Sequence, residues 1–534
     1  MLTGVALLAM ASPYFVIQVV DDQTGRGVPL VELRTTSDVR YYTDSAGIVA
    51  FHEPGLMGQE VYFHVSSHGF EHEADGFGYR GRRLKVVPGG RASIRIKRIN
   101  IAERLYRVTG QGIYRDSLLA HLPAPIAAPA LNAQVMGLDT VMFARYRGKM
   151  FWVFGDTNRP GYPLGHFATS TATSLLPRDG GLDPERGINL TYFTDATGFA
   201  KKMVPLEERG MVWLHAMTTL KDDSGRERLI AHFGRMKSLT ERLESGLVVF
   251  NDEKQIFQRL VSWGAAKPVN EPAGRPFRVT QNGRDYLYFV WPFAMPLVRV
   301  TAEWQAIQDP AQYESFSCDP DCHWRKGMAA RDPGYSLLDV DTGQPVRLRM
   351  CTAHWNPYRR RWIAMLENIP SDIYYAEAPT PTGPWVWTKK IITHDKYTFY
   401  WSAHIPHFDR DGGRRIYIMG TYTSAFSGAP FKTPRYDYNQ ILYALNLDDP
   451  RLMLPEPVYR SGSRFAIGTP PDAVDAIPYF AFPEDRHPEG LQAAVLPGGL
   501  TVFGRAASHT EGQFWRNPLP VVPMDRGSRA GVIF

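Results

Sequence analysis

Between residues 111 and 504 the chain repeats one unit: a polar or ring-bearing residue, a short apolar strand, a tight turn, and an aromatic-rich return strand. The first copy spans 139–149 and returns through 150–156. The second opens at 213–215, turns at 222–225 and returns through 228–233. The third opens at 276–279, turns at 281–284 and returns through 286–290. The fourth opens at 351–354, turns at 356–359 and returns through 362–366; the fifth opens at 402–404, turns at 409–413 and returns through 416–420. A lone hairpin cannot bury its apolar face, so such units must stack on one another. Starts about 45 to 75 residues apart, inserts included, predict blades of four antiparallel strands around an axis, a β-propeller. Residues 373–377 and 440–445 read as outer strands. The pattern gives five blades. A closing strand from 491–495 or 501–503 leaves six open, and the insert 301–345 reads as a loop over one face.

Ahead of this region, residues 14–107 show short alternating strands between turns: 15–20, 28–33, 41–44, 48–51, 61–65 and 92–96. Gly25 and Gly47 punctuate two of the turns. Such spacing predicts a β-sandwich. The phrases VVDDQTGRGVPLVEL and YYTDSAGIVAF resemble the carboxypeptidase regulatory-like or transthyretin-like sandwich, in which TG-x-x-V-P and T-D-x-x-G mark two turns. That resemblance implies a spacer or docking module. The expected fold is therefore all-β: a possible signal segment at 1–13, a sandwich at 14–107 and a propeller with inserts at 111–534. With 534 residues, 47 Gly, 41 Pro and 12% aromatics, the composition agrees with many short strands and tight turns.

The first dozen residues, MLTGVALLAMAS, resemble the apolar end of a secretory signal and imply a secreted or periplasmic protein; a buried first strand is the other reading. No later apolar run is long enough to span a membrane. The net charge of +6 is spread among acids, without the basic run of a nucleic-acid binder. Cys318 and Cys322 lack a second pair to complete a zinc site, and stand either as a small disulfide loop or as free thiols. Walker, nucleophile-elbow, His-Glu-x-x-His and dinucleotide motifs are missing from the sequence. Oligomeric state is not legible.

Gly137-Leu138-Asp139, a hairpin, and then Phe151–Asp156 resemble the first blade of the five-bladed glycoside hydrolases of family 43 and its relatives. The phrase at 373–385, ending in Gly-Pro-Trp, is similar to an outer-strand phrase of such blades. The resemblance places Asp139 at the mouth of the central funnel as a catalytic base and implies a glycan substrate. Glycoside cleavage needs that base or nucleophile together with a protonated acid. The family's acidic partners are absent from the matching blade starts, so Glu271 and Glu367 are the nearest candidate acids.

His215, His354 and His404 each open a presumptive inner strand, so a second chemistry comes into view. With Asp139 they predict a polar funnel in which His215 acts as acid or base and His404 ligates a structural calcium or other divalent ion. A polysaccharide lyase of the His/Tyr type is the alternative, with Arg275 and Arg278 on a substrate carboxylate and Tyr400 beside it. Asp156, Arg159, Trp213, His354 and Trp401 complete the expected substrate-binding set, the tryptophans stacking on sugar faces. A non-catalytic glycan- or protein-binding module is the third reading.

Overall fold

The computed structural model describes residues 12–454, apart from 266–267, 269–271, 273, 291–297, 319–321, 328–336, 343, 369–371, 379–380, 383–384, 386, 396 and 453. Beyond 454 it describes the backbone of strands at 456–461, 464–467, 479–481, 491–496 and 500–505. Residues 1–11 of the leader expected at 1–13, and Glu271, lie outside the described residues. The chain is nearly all β. No helix among the described residues is long and apolar enough to cross a membrane.

Residues 15–98 form two four-stranded sheets. In one, Phe15–Asp21 lies between Ile48–Phe51 and Arg91–Arg98, which also pairs with Phe70–Glu71. In the other, Glu32–Thr35 lies between Arg40–Tyr42 and Glu60–Ser66, with Gly81–Lys85 at the edge. Alternation sends one face of each strand inward. Ile17, Val19, Phe51 and Ile94 from the first sheet meet Leu33, Phe63 and Val65 from the second in one apolar cluster. Arg40–Tyr42 and Glu32–Thr35 are shorter than the strands expected there, and the edge strand Gly81–Lys85 was not expected.

Five sheets of four to six strands follow. Sheet I holds Met142–Tyr146, Lys149–Phe154, Ser170–Leu175 and Thr191–Tyr192. Sheet II holds Met211–Lys221, Glu227–Met236, Arg242–Asn251 and Ile256–Gly264. Sheet III begins with Pro276–Gln281, Arg284–Phe289 and Val298–Thr301. Sheet IV begins with Arg349–Asn356, Arg361–Asn368, Asp372–Ala378 and Trp387–Thr393, and sheet V with Thr398–His404, Arg415–Thr423 and Asn439–Asn446.

Strands buried on both faces let each sheet pack on two neighbours. In Lys149–Phe154, Met150, Trp152 and Phe154 pack with Tyr417 and Met419 of sheet V, whereas Phe151 and Val153 pack with Leu214 and Phe233 of sheet II. Ile230 and Leu247 of sheet II then meet Leu287 and Val300 of sheet III. Phe277 of sheet III joins Ile363 of sheet IV and Ile418 of sheet V in another cluster. The packing thus runs I–II–III–IV–V and returns to I.

Two connections differ from expectation. Sheet V takes its fourth strand from Glu103–Arg107, which pairs antiparallel with Asn439–Asn446. The stretches 491–496 and 500–505, read as a closing strand, pair with each other. The expected 107 boundary therefore falls just after a strand of sheet V. The insert 301–345 is also more than a loop: Glu314–Cys318 and Cys322–Lys326 extend sheet III, and Leu337–Asp339 runs parallel to Trp387–Thr393 in sheet IV. Cys318 and Cys322 are opposite each other in the backbone register, but their side chains lie outside the described residues.

Candidate active site

A small sheet of Gly137–Leu138, Thr157–Arg159 and Tyr162–His166 stands at the head of sheet I. Leu138 lies opposite Thr157, and Met142 opposite Val153. That common register sets Asp139 opposite Asp156. The Gly155 amide donates to the Asp139 carbonyl at 2.9 Å, closing the hairpin across the break. A Cβ at Gly155 would sit 2.3 Å from Asp139 Oδ1, so the carboxylate's position requires glycine there. On the other side, the Thr140 amide donates to Thr421 Oγ1 at 2.9 Å and the Leu138 amide to the Tyr438 carbonyl at 2.7 Å. Asp139 is thereby pinned between sheets I and V.

Its carboxylate accepts a hydrogen bond from the Tyr400 hydroxyl at 2.5 Å and another from Tyr438. Asp156 accepts from Trp213 Nε1 at 2.9 Å. Asp139, Asp156, Trp213, Tyr400 and Tyr438 all keep partial solvent access. Burial is the main force raising the Asp139 carboxyl to about 6, the nearby Asp156 charge adds to it, and the donated hydrogen bonds oppose it. Burial also raises Asp156, against the Trp213 bond. The Tyr400 and Tyr438 phenols are raised by burial and by the Asp139 charge. Each tyrosine therefore stays a hydrogen-bond donor. Thr140, Ala216, Trp401 and Tyr438 all hold positive φ, between 49° and 61°. Left-handed backbone at four non-glycine positions is strain that the surrounding bonds must hold.

Below this cradle the first strands of the sheets interrupt their pairing: register shifts between His215 and Thr218, between Met350 and Thr352, and between Tyr400 and Ala403. The interruptions in sheets IV and V leave the carbonyls of Cys351, Trp401 and Ser402 outside the ladder, and Arg275 takes them. Its guanidinium donates to the carbonyls of Val141, Cys351, Trp401 and Ser402 at 2.5–3.3 Å and lies 5.0 Å over the Trp401 ring. The neighbouring Gly274 carbonyl accepts from the Ala216 amide. Arg275, expected to hold a substrate carboxylate, instead ties the backbones of sheets I, IV and V together. Burial lowers it to about 10, far above neutral pH.

The other expected residues separate. His215 stacks on His232 at 5.8 Å, and His354 packs edge-on against His404 at 5.3 Å. Two of the three expected histidines, His354 and His404, thus meet each other, whereas His215 packs on His232 instead. His404 Nε2 bonds to both Asp409 carboxylate oxygens, at 2.9 and 3.0 Å, and its buried Nδ1 has no hydrogen-bond partner. Among the described residues no group of three His, Cys, Asp or Glu side chains is arranged to hold a metal. One orphan nitrogen beside an occupied one does not fit the expected calcium or other divalent ion. Glu367 is fully buried, paired with Arg349 and contacted by the Ser402 amide at 3.4 Å, so it has no route to substrate as an acid. Arg159 lies 5.6 Å over the Phe199 ring, and Arg278 donates to the Thr219 carbonyl at 2.5 Å.

Tyr438 was missed in the sequence. It belongs to no recurring unit, and only the pairing of sheets I and V brings it to Asp139.

No protein-family model matches the chain, and no curated protein sequence matches it. Among solved structures it is similar to a GH43_1 enzyme of Xanthomonas citri, at 13% identity over 64% of this chain and 93% of that one, with a TM-score of 0.32. It is also similar to an α-L-arabinanase of Penicillium chrysogenum complexed with arabinobiose, at 12% identity over 66% and 99%, with a TM-score of 0.33. A third is a candidate hydrolase of Bacteroides ovatus, at 13% identity over 60% and 89%, with a TM-score of 0.37.

Proposed function

We propose that the chain is a glycoside hydrolase acting on an extracellular polysaccharide or oligosaccharide. In this reading sheets I–V are the blades of a five-bladed propeller, and residues 15–98 are a docking sandwich. The observation that carries it is the pair Asp139 and Asp156, set opposite each other in an aromatic cradle, with Asp139 raised to about 6. Two carboxyl groups driven from their ordinary range at an accessible mouth suit proton transfer near neutral pH.

Asp139, once ionised, takes the proton from an attacking water. Tyr400 and Tyr438 orient its carboxylate, Asp156 tunes its basicity, and Trp213 offers an indole face to the sugar. The general acid assigned here is Glu271. The lyase alternative loses one of its two expected arginines, because the Arg275 guanidinium is bound to carbonyls.

The test is product analysis over a panel of neutral and acidic glycans with the wild type, Asp139→Asn and Glu271→Gln. Reducing ends released by the wild type and lost in both variants support the assignment. Unsaturated products would assign a lyase, and turnover unchanged in Asp139→Asn would sink the mechanism.

A further inference from the structure

A cleft of about 430 Å³ opens between the N-terminal sheets and sheet V, away from the carboxylate pair. One wall carries Tyr42, His68 and Glu32; the other carries Tyr397, Tyr422 and Phe431. We infer that this cleft is a second binding site, for a neutral oligosaccharide segment of a glycan. The inference rests on the glycan-cleaving reading only for its choice of ligand class.

The walls are built rather than accidental. Tyr397 and Tyr422 stack at 4.1 Å and 16°. The Tyr397 hydroxyl donates to Asp437 Oδ1 at 2.7 Å and accepts from the Thr433 amide at 2.8 Å. His68 crosses from the N-terminal sheets to bond the Tyr422 hydroxyl at 2.9 Å. Glu32 is held by the Tyr42 hydroxyl at 2.6 Å. The volume falls within the range of small-molecule sites; Tyr42, Tyr397 and Tyr422 are buried and stiffen the walls, so the exposed Phe431 ring is the face left for a sugar's C–H groups, with Glu32 and Asp395 as acceptors for its hydroxyls.

Charge selects against an acidic sugar. Glu32, Glu71 and Asp395 line the cleft, while Arg80 of the lining pairs with Glu71 at 3.1 Å, and Arg40, which lies over the Phe431 ring, pairs with Glu32 at 3.5 Å. Phe431, 44% exposed, presents its ring at the rim with Arg40 over one face. The same loop carries Phe426, 80% exposed and edge-on to Tyr400 at 6.5 Å. Tyr397 bonds Asp437, and the next residue, Tyr438, bonds Asp139. One loop therefore borders both the cleft and the carboxylate pair.

The test is electrophoresis of the full chain in native gels cast with soluble arabinan, xylan, galactan or polygalacturonate. The wild type and Asp139→Asn are expected to be retarded alike by at least one neutral polymer. Phe431→Ala and Asp395→Ala together should weaken that retardation at least fivefold, with near-ultraviolet circular dichroism and turnover of short substrates unchanged. Retardation equal to wild type in the double variant overturns the inference. So does retardation by polygalacturonate alone, or by none of the four. Retardation that depends on Phe431 in a chain without turnover leaves the cleft site standing and sinks the hydrolase reading instead.

Discussion

The Tyr400 hydroxyl donates to Asp139 Oδ2 at 2.5 Å, so a residue of sheet V opposes the burial that raises a carboxyl at the head of sheet I. A bond of that length to an ionised oxygen is a strong one and favours the charged form. With Asp139 as base, kcat/KM should lose its activity on the acid side near pH 6, where the carboxyl sits. Tyr400→Phe removes a donor to the charged form, so this limb should move to higher pH. Asp139→Asn should reduce kcat/KM by about 10² to 10⁴. A limb that stays in place in Tyr400→Phe would detach Tyr400 from the chemistry.

The same carboxyl should cost the fold stability at neutral pH. Its pKa is about 6 folded, against 3.8 for an aspartate in water. Between those values the folded chain holds a proton that the unfolded chain has lost, so stability falls as pH rises through the window and stays lower above it. Asp139→Asn should therefore raise Tm at pH 7, with the difference vanishing near pH 4. Differential scanning fluorimetry at both values decides it, and a lower Tm for the variant at pH 7 would contradict the assignment.

Arg275 should matter to the fold more than to any substrate. Arg275→Ala strands the carbonyls of Val141, Cys351, Trp401 and Ser402 in a buried place. Unpaired buried groups cost about 1–3 kcal/mol each, so a loss of about 3 kcal/mol or more is expected in urea unfolding. Arg275→Lys keeps the charge but not the planar fork, and should recover only part of it. A variant that unfolds like wild type but binds acidic glycans less well would return Arg275 to the substrate.

The sequence revealed the hairpins far better than it revealed the site. Each expected hairpin lies within a pair of strands, because short apolar runs and Gly- or Asp-bearing turns are local signals: 222–225 joins Met211–Lys221 to Glu227–Met236. Asp139 and Asp156 were both legible, since they flank one hairpin. Arg275 was misread because its carbonyl partners come from distant strands whose bulges leave no local mark. The histidines sat at similar register positions, yet register along a strand does not fix which neighbour a ring packs against. His215 found His232, while His354 found His404.

The pairing of Glu103–Arg107 with Asn439–Asn446 makes a prediction about where the chain can be cut. Leu105 and Tyr106 are buried, at 0% and 2% exposure, and Arg415 pairs with Glu103 at 2.7 Å. A chain beginning at residue 108 would leave the third strand of sheet V with an open apolar edge, and such edges invite aggregation. A chain beginning at residue 99 keeps that strand and loses only the N-terminal sheets. It also loses Leu30 and Tyr42 from the cluster they share with sheets III–V, so a lower Tm is expected. The 99–534 chain should therefore elute as a folded species with reduced Tm, whereas the 108–534 chain should aggregate. Equal behaviour of the two in gel filtration and thermal melts would show that the strand is dispensable and that sheet V closes without it.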